Sequence, residues 1–280
     1  MMEQALIMVA PNGARRTTAD HPALPMTAAA LGATARACEE AGAGAIHLHV
    51  RAPDGTHILD AGLYEEATAA VRRETSPDFV VQITTEAVGR YQPPEQMAVV
   101  RAVKPEAFSV AVRELFPQDD TAAEKDGAAF LAWCHDEKIA AQYILYSDQD
   151  LRRFAELSRR GIIPGDRWST LFVLGRYSKD FQSDPNELRP FLEVLHEMPE
   201  GERLSWMVCA FGQAESTVAA AALSLGGNVR VGFENNLWLA DGSVAADNAA
   251  LVSLAAQSRE TIGLTAAKGA DARRILGMPE

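Results

Sequence analysis

The chain has 280 residues, 48% of them apolar, and its 38 acidic side chains outnumber 26 basic ones to leave a formal charge of −12. That length allows a sizeable core and falls within the range of a single α/β barrel, while the negative balance opposes non-specific binding to nucleic acid or to an anionic membrane. Cys38, Cys134 and Cys209 stand far apart with no Cys-x-x-Cys spacing, which fits buried thiols in a reducing compartment rather than a disulfide framework.

The first apolar run, residues 5–10, breaks at Pro11-Asn12-Gly13 and is too short for a signal sequence or a membrane span. It reads as a first strand in a cytoplasmic protein. A loop rich in His, Pro and Thr follows, and Thr27 offers an N-cap to an Ala-rich helix that stops at Gly42. Strand two covers 45–50, with a helix from about 61 to 75. Strand three is 79–84, then a helix near 94–102; strand four is 107–112, then a helix near 121–137. Strand five is 139–146, and Asp148 can cap the helix ending at Gly161. Strands six, seven and eight are 169–174, 204–209 and 228–233, with helices near 185–197, 214–225 and 245–262, and a last helix over 266–276 closes the chain. No linker or low-complexity run interrupts this order, so residues 1–280 read as one domain with an extra C-terminal helix.

Eight strands, each with a following helix, predict a TIM (β/α)8 barrel, whose active site lies at the carboxyl ends of the strands. A doubly wound open sheet is the competing architecture, but Pro11-Asn12-Gly13-Ala14-Arg15 lacks its glycine-rich nucleotide fingerprint.

Within strand two, Ile46-His47-Leu48-His49-Val50 puts both histidines on one face, about 6.6 Å apart along the strand. This is half of a metal site, or two polar residues each satisfied separately. A catalytic zinc takes three protein ligands, and the acidic residue ending strand eight, Glu234, is the candidate for the third. In a closed barrel only strand one separates strands two and eight, so His47, His49 and Glu234 can converge on one ion. Arg230 lies four residues before Glu234 on the same predicted strand, where it either binds substrate oxygens or merely orients Glu234. His135 and His196 fall in predicted helices, His57 in a turn, and His21 in a loop read as surface.

The chain resembles the β-keto acid cleavage enzymes. The resemblance rests on Val9-Ala10-Pro11-Asn12-Gly13-Ala14, His21-Pro22-Ala23-Leu24-Pro25-Met26-Thr27, Ala43-Gly44-Ala45-Ile46-His47-Leu48-His49-Val50-Arg51, Gln82-Ile83-Thr84-Thr85, the run from Asn228 to Asn236, and Asp247-Asn248-Ala249-Ala250-Leu251-Val252. These stretches span nearly the whole chain in order. The resemblance implies a TIM barrel with zinc on His47, His49 and Glu234. It also implies a Claisen-type exchange in which a β-keto acid and acetyl-CoA give acetoacetate and a new acyl-CoA, and relatives suggest a homotetramer. In that family the arginine matching Arg230 works with an aspartate directly after the metal-binding glutamate; here that position is Asn235. Glu86 stands where the family often has glycine, and the end of strand five, Gln142-Tyr143-Ile144-Leu145-Tyr146, lacks the family's glutamate.

Asparagine cannot take up a proton as a carboxylate does, so Asn235 marks a retuned catalytic position. Glu86 is either the candidate replacement base or reader of a cationic substrate, or an exposed loop glutamate with no such role. Thr84, Thr85 and Ser109 are candidate hydrogen-bond partners of the keto acid, although only one threonine of the pair can face inward. The Phe211-Gly212-Gln213 turn either presents backbone N–H groups to an anion at a helix N-terminus or is a plain turn. Two functions of different class are carried forward: the acyltransferase, and a metal-containing barrel that binds a keto acid or acyl-CoA without turnover. Metal-dependent hydrolysis is disfavoured, since no further histidines occupy later strand ends.

Overall fold

Short aliphatic runs build eight parallel strands: β1 Ile7–Val9, β2 Ala45–Leu48, β3 Val80–Thr84, β4 Ala107–Ala111, β5 Ala140–Leu145, β6 Trp168–Leu174, β7 Leu204–Ala210 and β8 Asn228–Val231. The computed structural model describes residues 3–118 and 120–278. The strands follow one another in sequence order around a closed barrel. Val9 of β1 pairs with Ile46 on one side and Val231 on the other, so β1 alone separates β2 from β8. The TIM barrel expected from the β/α alternation is the fold of this chain.

The main helices are α1 Ala28–Glu40, α2 Ala61–Glu74, α3 Pro93–Val103, α4 Thr121–Asp136, α5 Asp148–Arg159, α6 Leu188–Glu197, α7 Glu215–Ser224, α8 Asn248–Thr261 and α9 Gly269–Ile275. Their apolar faces and the outward residues of the strands share one core, including Ile46, Leu48, Phe108 and Phe172. Thr27 caps α1 by accepting from the N–H of Ala30. Ser147, not Asp148, caps α5, because the side chain reaching the Asp150 N–H belongs to the residue before the first turn. The segment expected to be helical from 185 begins with a 3-10 turn, Pro185–Glu187, and α6 starts after it.

Inward residues form a second cluster in which Leu6, Ala45 and Val80 meet Ala267, Ala272, Ile275 and Leu276. The C-terminal segment therefore plugs the amino end of the barrel, where Gln4–Ala5 also pairs with Thr265–Ala266. The carboxyl end stays open to loops.

Two predicted strands end two residues earlier than expected. β2 stops at Leu48, leaving His49 just beyond it, and β8 stops at Val231. The second break has a clear cause: Gly232 has φ +134°, and a Cβ there would lie 2.5 Å from the Ala10 carbonyl oxygen. The chain turns over Phe233, Glu234 and Asn235, and the Glu234 N–H donates to that carbonyl at 3.0 Å. Glu234 thus sits on a turn, not on the strand that carries Arg230.

Candidate metal centre and active site

The β2 strand aims the His47 ring into the barrel, where Nδ1 meets Gln82 Oε1 at 2.7 Å. The carboxamide oxygen can only accept, so Nδ1 carries the proton and Nε2 is left with its lone pair. Gln82 Nε2 donates to Gln142 Oε1 at 3.2 Å, and Gln142 Nε2 donates to Ser169 Oγ at 3.2 Å. This buried chain fixes the imidazole from below. His49 is gripped through its backbone: its N–H donates to Asn12 Oδ1 at 3.3 Å and its carbonyl accepts from Asn12 Nδ2 at 2.9 Å.

His47 Nε2 and His49 Nε2 lie 3.1 Å apart, and Glu234 Oε2 lies 3.5 Å from the first and 3.3 Å from the second. The other carboxylate oxygen, Oε1, accepts from Arg230 Nη2 at 2.8 Å. Arg230 therefore divides the carboxylate, holding one oxygen and leaving Oε2 buried without a hydrogen bond. Gly13, at φ +60°, makes room for it, since a Cβ there would sit 2.5 Å from Glu234 Cγ.

Three ligand atoms meeting at these separations match one face of a tetrahedron, whose edge is about 3.3 Å for ligand bonds of about 2.0–2.1 Å. His47, His49 and Glu234 thus form a group able to hold a metal ion. Protonation agrees: burial first, then the nearby Arg230 charge, push His47 down to about 3, keeping it neutral near pH 7. Burial would raise the Glu234 carboxyl, but Arg230 and the two imidazoles outweigh it and hold the group well below the usual carboxylate range. A neutral His47 imidazole and an ionised Glu234 carboxylate are the protonation states a divalent cation requires of these two ligands.

The centre opens into a cavity of about 340 Å³ lined by Thr84, Glu86, Ile144, Tyr146, Gly212, Arg230 and Glu234 among others. A larger open cleft of about 930 Å³ at the amino ends of β5 and β6 touches none of these residues. Thr84 Oγ1 accepts from the Glu86 N–H at 3.0 Å, which leaves its own hydroxyl proton free for a ligand. Glu86 Oε1 pairs with Arg15 at 3.1 Å, while Oε2 lies 3.9 Å from His49 Nδ1.

Other expected site residues stand elsewhere. Thr85 does not line the cavity; strand alternation turns it away, and Oγ1 donates to the Ser109 carbonyl at 2.8 Å. Ser109, level with Thr84 and Gln142 in the barrel, is buried with no partner for Oγ. The N–H groups of the Phe211-Gly212-Gln213 turn are already occupied, donating to Leu174 O, Asn235 O and Gln182 Oε1 respectively. Gly212 lines the cavity but offers no free donor. Asn235 is fully buried, both atoms of its carboxamide lack partners, and it is not on the cavity wall.

A family model described as beta-keto acid cleavage enzyme matches residues 4–278. The chain belongs to the β-keto acid cleavage enzyme family. This family member is 29% identical over 285 residues to the 3-keto-5-aminohexanoate cleavage enzyme of Fusobacterium nucleatum subsp. nucleatum, covering 99% of each chain. It is 27% identical to the 3-oxoadipate:acetyl-CoA acetyltransferase of Cupriavidus necator, covering 100% of this chain and 96% of that one. A ternary complex of ObcA with a C4-CoA adduct and oxalate superposes with a TM-score of 0.74 at 16% identity, covering 92% of this chain and 68% of ObcA. That likeness speaks for the barrel alone.

Several residues that shape the family member's site carry no sequence signal of their own. Arg51 donates to the carbonyls of Asn12, Gly13, Arg16 and Gly55 and so ties down the first loop. His57 lies in the predicted turn, yet its ring sits 5.0 Å from that of His49 and its Nε2 meets the Glu86 carbonyl at 3.0 Å. Burial, then His49, push it down to about 3. His21, expected on the surface, is buried, with Nε2 on the Ala245 carbonyl and its ring 4.3 Å from Phe233.

Glu215, the first residue of α7, accepts from the Gly232 N–H at 3.1 Å and from Asn236 Nδ2 at 3.1 Å, bracing the turn that carries Glu234. Burial raises its pKa to about 8, against the pull of those hydrogen bonds. A carboxyl raised above its unfolded value favours folding below about pH 4.5 and loses that contribution as pH rises through about 8. The shift corresponds to about 4–5 kcal/mol at about 1.4 kcal/mol per pH unit. Urea unfolding of wild type and Glu215→Gln from pH 5 to pH 9 checks this: the variant is expected to lose the alkaline decline, and equal slopes would remove Glu215 as its source.

Proposed function

We propose that this protein is a zinc-dependent acyltransferase that exchanges a β-keto acid with acetyl-CoA, giving acetoacetate and a new acyl-CoA. The observation that carries this reading is the triangle of His47 Nε2, His49 Nε2 and Glu234 Oε2, with sides of 3.1, 3.3 and 3.5 Å, whose Glu234 corner lines the 340 Å³ cavity. Family membership and the activities named in the relatives support the acyl transfer. Two imidazoles and one carboxylate make a donor set suited to catalytic zinc, with a fourth position open. Such an ion, when bound, supplies a Lewis acid that stabilises enolate charge during carbon–carbon bond exchange.

The protein's own groups do the rest. Arg230, nearly fully buried, orients Glu234 and offers its unpartnered Nε–H to a substrate oxygen. Thr84 donates its hydroxyl proton to the keto acid, and Ser109 supplies a second donor below it. Thr85 positions Ser109 through the hydrogen bond to its carbonyl. Glu86, partly exposed at the cavity mouth, accepts the proton that a carbon acid must lose. Gly212 keeps the opposite wall low enough for the thioester. Asn235 replaces the family's aspartate as the neutral partner behind Glu234.

A second reading, a metal-containing barrel that binds keto acid or acyl-CoA without turnover, rests on Asn235. Metal analysis of the purified protein, with mass spectrometry after mixing it with acetyl-CoA and a panel of β-keto acids, tests both. Stoichiometric zinc and a new acyl-CoA are expected; zinc without product leaves the binding role, and neither defeats the proposal. A homotetramer accompanies this reading, checked by light scattering, as does a cytoplasmic location. No helix among the described residues is long and apolar enough to cross a membrane.

A further inference from the structure

Four arginines border the 340 Å³ cavity, and three of them already hold protein partners. Arg15 pairs with Glu86 at 3.1 Å, Arg16 donates to the Phe233 and Asn235 carbonyls, and Arg230 holds Glu234 at 2.8 Å. Arg176, directly after Gly175 at the carboxyl end of β6, is different. Its guanidinium carbon lies 5.6, 5.4 and 5.8 Å from the ring centroids of Tyr177, Phe181 and Phe211. Among the described residues no carboxylate forms an ion pair with it, including Asp180, which is exposed on the same loop.

Aromatic faces hold a guanidinium in place without neutralising it, and stacking leaves the in-plane N–H fork free for an oxyanion. The loop beneath it is anchored: the Gly175 N–H donates to Glu187 Oε2 at 3.1 Å, and the Ser183 N–H to the Phe211 carbonyl at 2.9 Å. Deeper in the same cavity Ile144 and Val173 present only hydrocarbon. The half of the cavity formed by the β5 and β6 ends therefore combines an apolar floor with one uncompensated positive charge at its rim.

Resting on the acyl-transfer reading above, we infer that Arg176 is the specificity-determining residue that binds an oxyanion of the substrate pair. That oxyanion is either the distal carboxylate of a β-keto dicarboxylic acid or a phosphate of the CoA thioester. The same charge disfavours a β-keto acid ending in an ammonium group.

Steady-state kinetics of wild type, Arg176→Gln and Arg176→Lys, with acetyl-CoA and β-keto acids of matched length ending in carboxylate, methyl or ammonium, test the inference. With the oxyanion on the keto acid, Arg176→Gln is expected to lower the kcat/KM ratio of the carboxylate-ended over the methyl-ended acid by about ten- to a hundredfold. With the oxyanion on CoA, the KM for acetyl-CoA rises by a similar factor whichever keto acid is used. Arg176→Lys, which keeps the charge and loses the fork, falls between. An unchanged ratio together with an unchanged acetyl-CoA KM overturns the inference.

Thermal-shift titration of metal-loaded protein with glutarate, pentanoate and CoA separates this result from failure of the acyl-transfer reading. Absence of turnover in wild type defeats that reading alone. Glutarate preferred over pentanoate, or CoA binding, that disappears in Arg176→Gln sustains the anion-binding role; a preference indifferent to the substitution overturns it.

Discussion

Glu234→Ala is expected to abolish stoichiometric metal binding and to lower kcat/KM by at least about a thousandfold, equivalent to about 4 kcal/mol of lost transition-state stabilisation. His47→Ala should do the same. The barrel should survive both, because neither side chain belongs to the hydrophobic clusters that hold it together. The two variants differ in one respect. Removing Glu234 leaves Arg230, 4% exposed, with only Cys209 Sγ at 3.4 Å as a hydrogen-bond partner among the described residues, and an uncompensated buried charge costs about 3–5 kcal/mol. Glu234→Gln supplies the control, since its carboxamide oxygen can still accept from Arg230 while the charge is gone. Metal analysis, circular dichroism and kinetics on the three variants check the assignment. Metal kept at full stoichiometry in both alanine variants would remove these residues as ligands.

What the sequence disclosed and what it concealed follow from how far each signal is local. The β/α alternation is a local pattern of hydrophobic periods, so the eight strands and the closed barrel could be read directly, and closure alone places β2 and β8 around β1. His47 and His49 were legible because two residues at period two share a strand face. Glu234 was legible only jointly with the barrel, and its seat was misjudged: Gly232 ends β8 early because backbone at Ala10 leaves no room for a Cβ. Arg230 and Glu234 then meet across a turn rather than along a strand. Glu215, Arg51 and His57 were opaque because most of their partners are groups of distant loops, whose positions no periodicity encodes. The Phe211-Gly212-Gln213 turn misled for the related reason that donors free in a local turn are captured by acceptors from other loops.

Asn235→Asp is expected to raise the rate of acyl exchange by at least about tenfold, the low end of what a positioned proton-transfer group contributes. The native carboxamide is fully buried and neither its nitrogen nor its oxygen has a hydrogen-bond partner, an arrangement that secures no stability in compensation. A carboxylate there gains attraction from Arg16, whose Nη2 already reaches the Asn235 carbonyl at 3.4 Å, while burial opposes its ionisation. The two effects together predict a new acid limb in the pH profile of kcat/KM and a loss of about 1–3 kcal/mol in folding free energy. Stopped assays across pH 5–9 with a β-keto acid panel, alongside urea unfolding, read both quantities. An inert wild type that gains turnover on this one substitution identifies the protein as a binding barrel disarmed at position 235. An active wild type accelerated by it identifies a retuned enzyme, and unchanged kinetics throughout the panel would assign Asn235 a purely structural place in the turn behind Glu234.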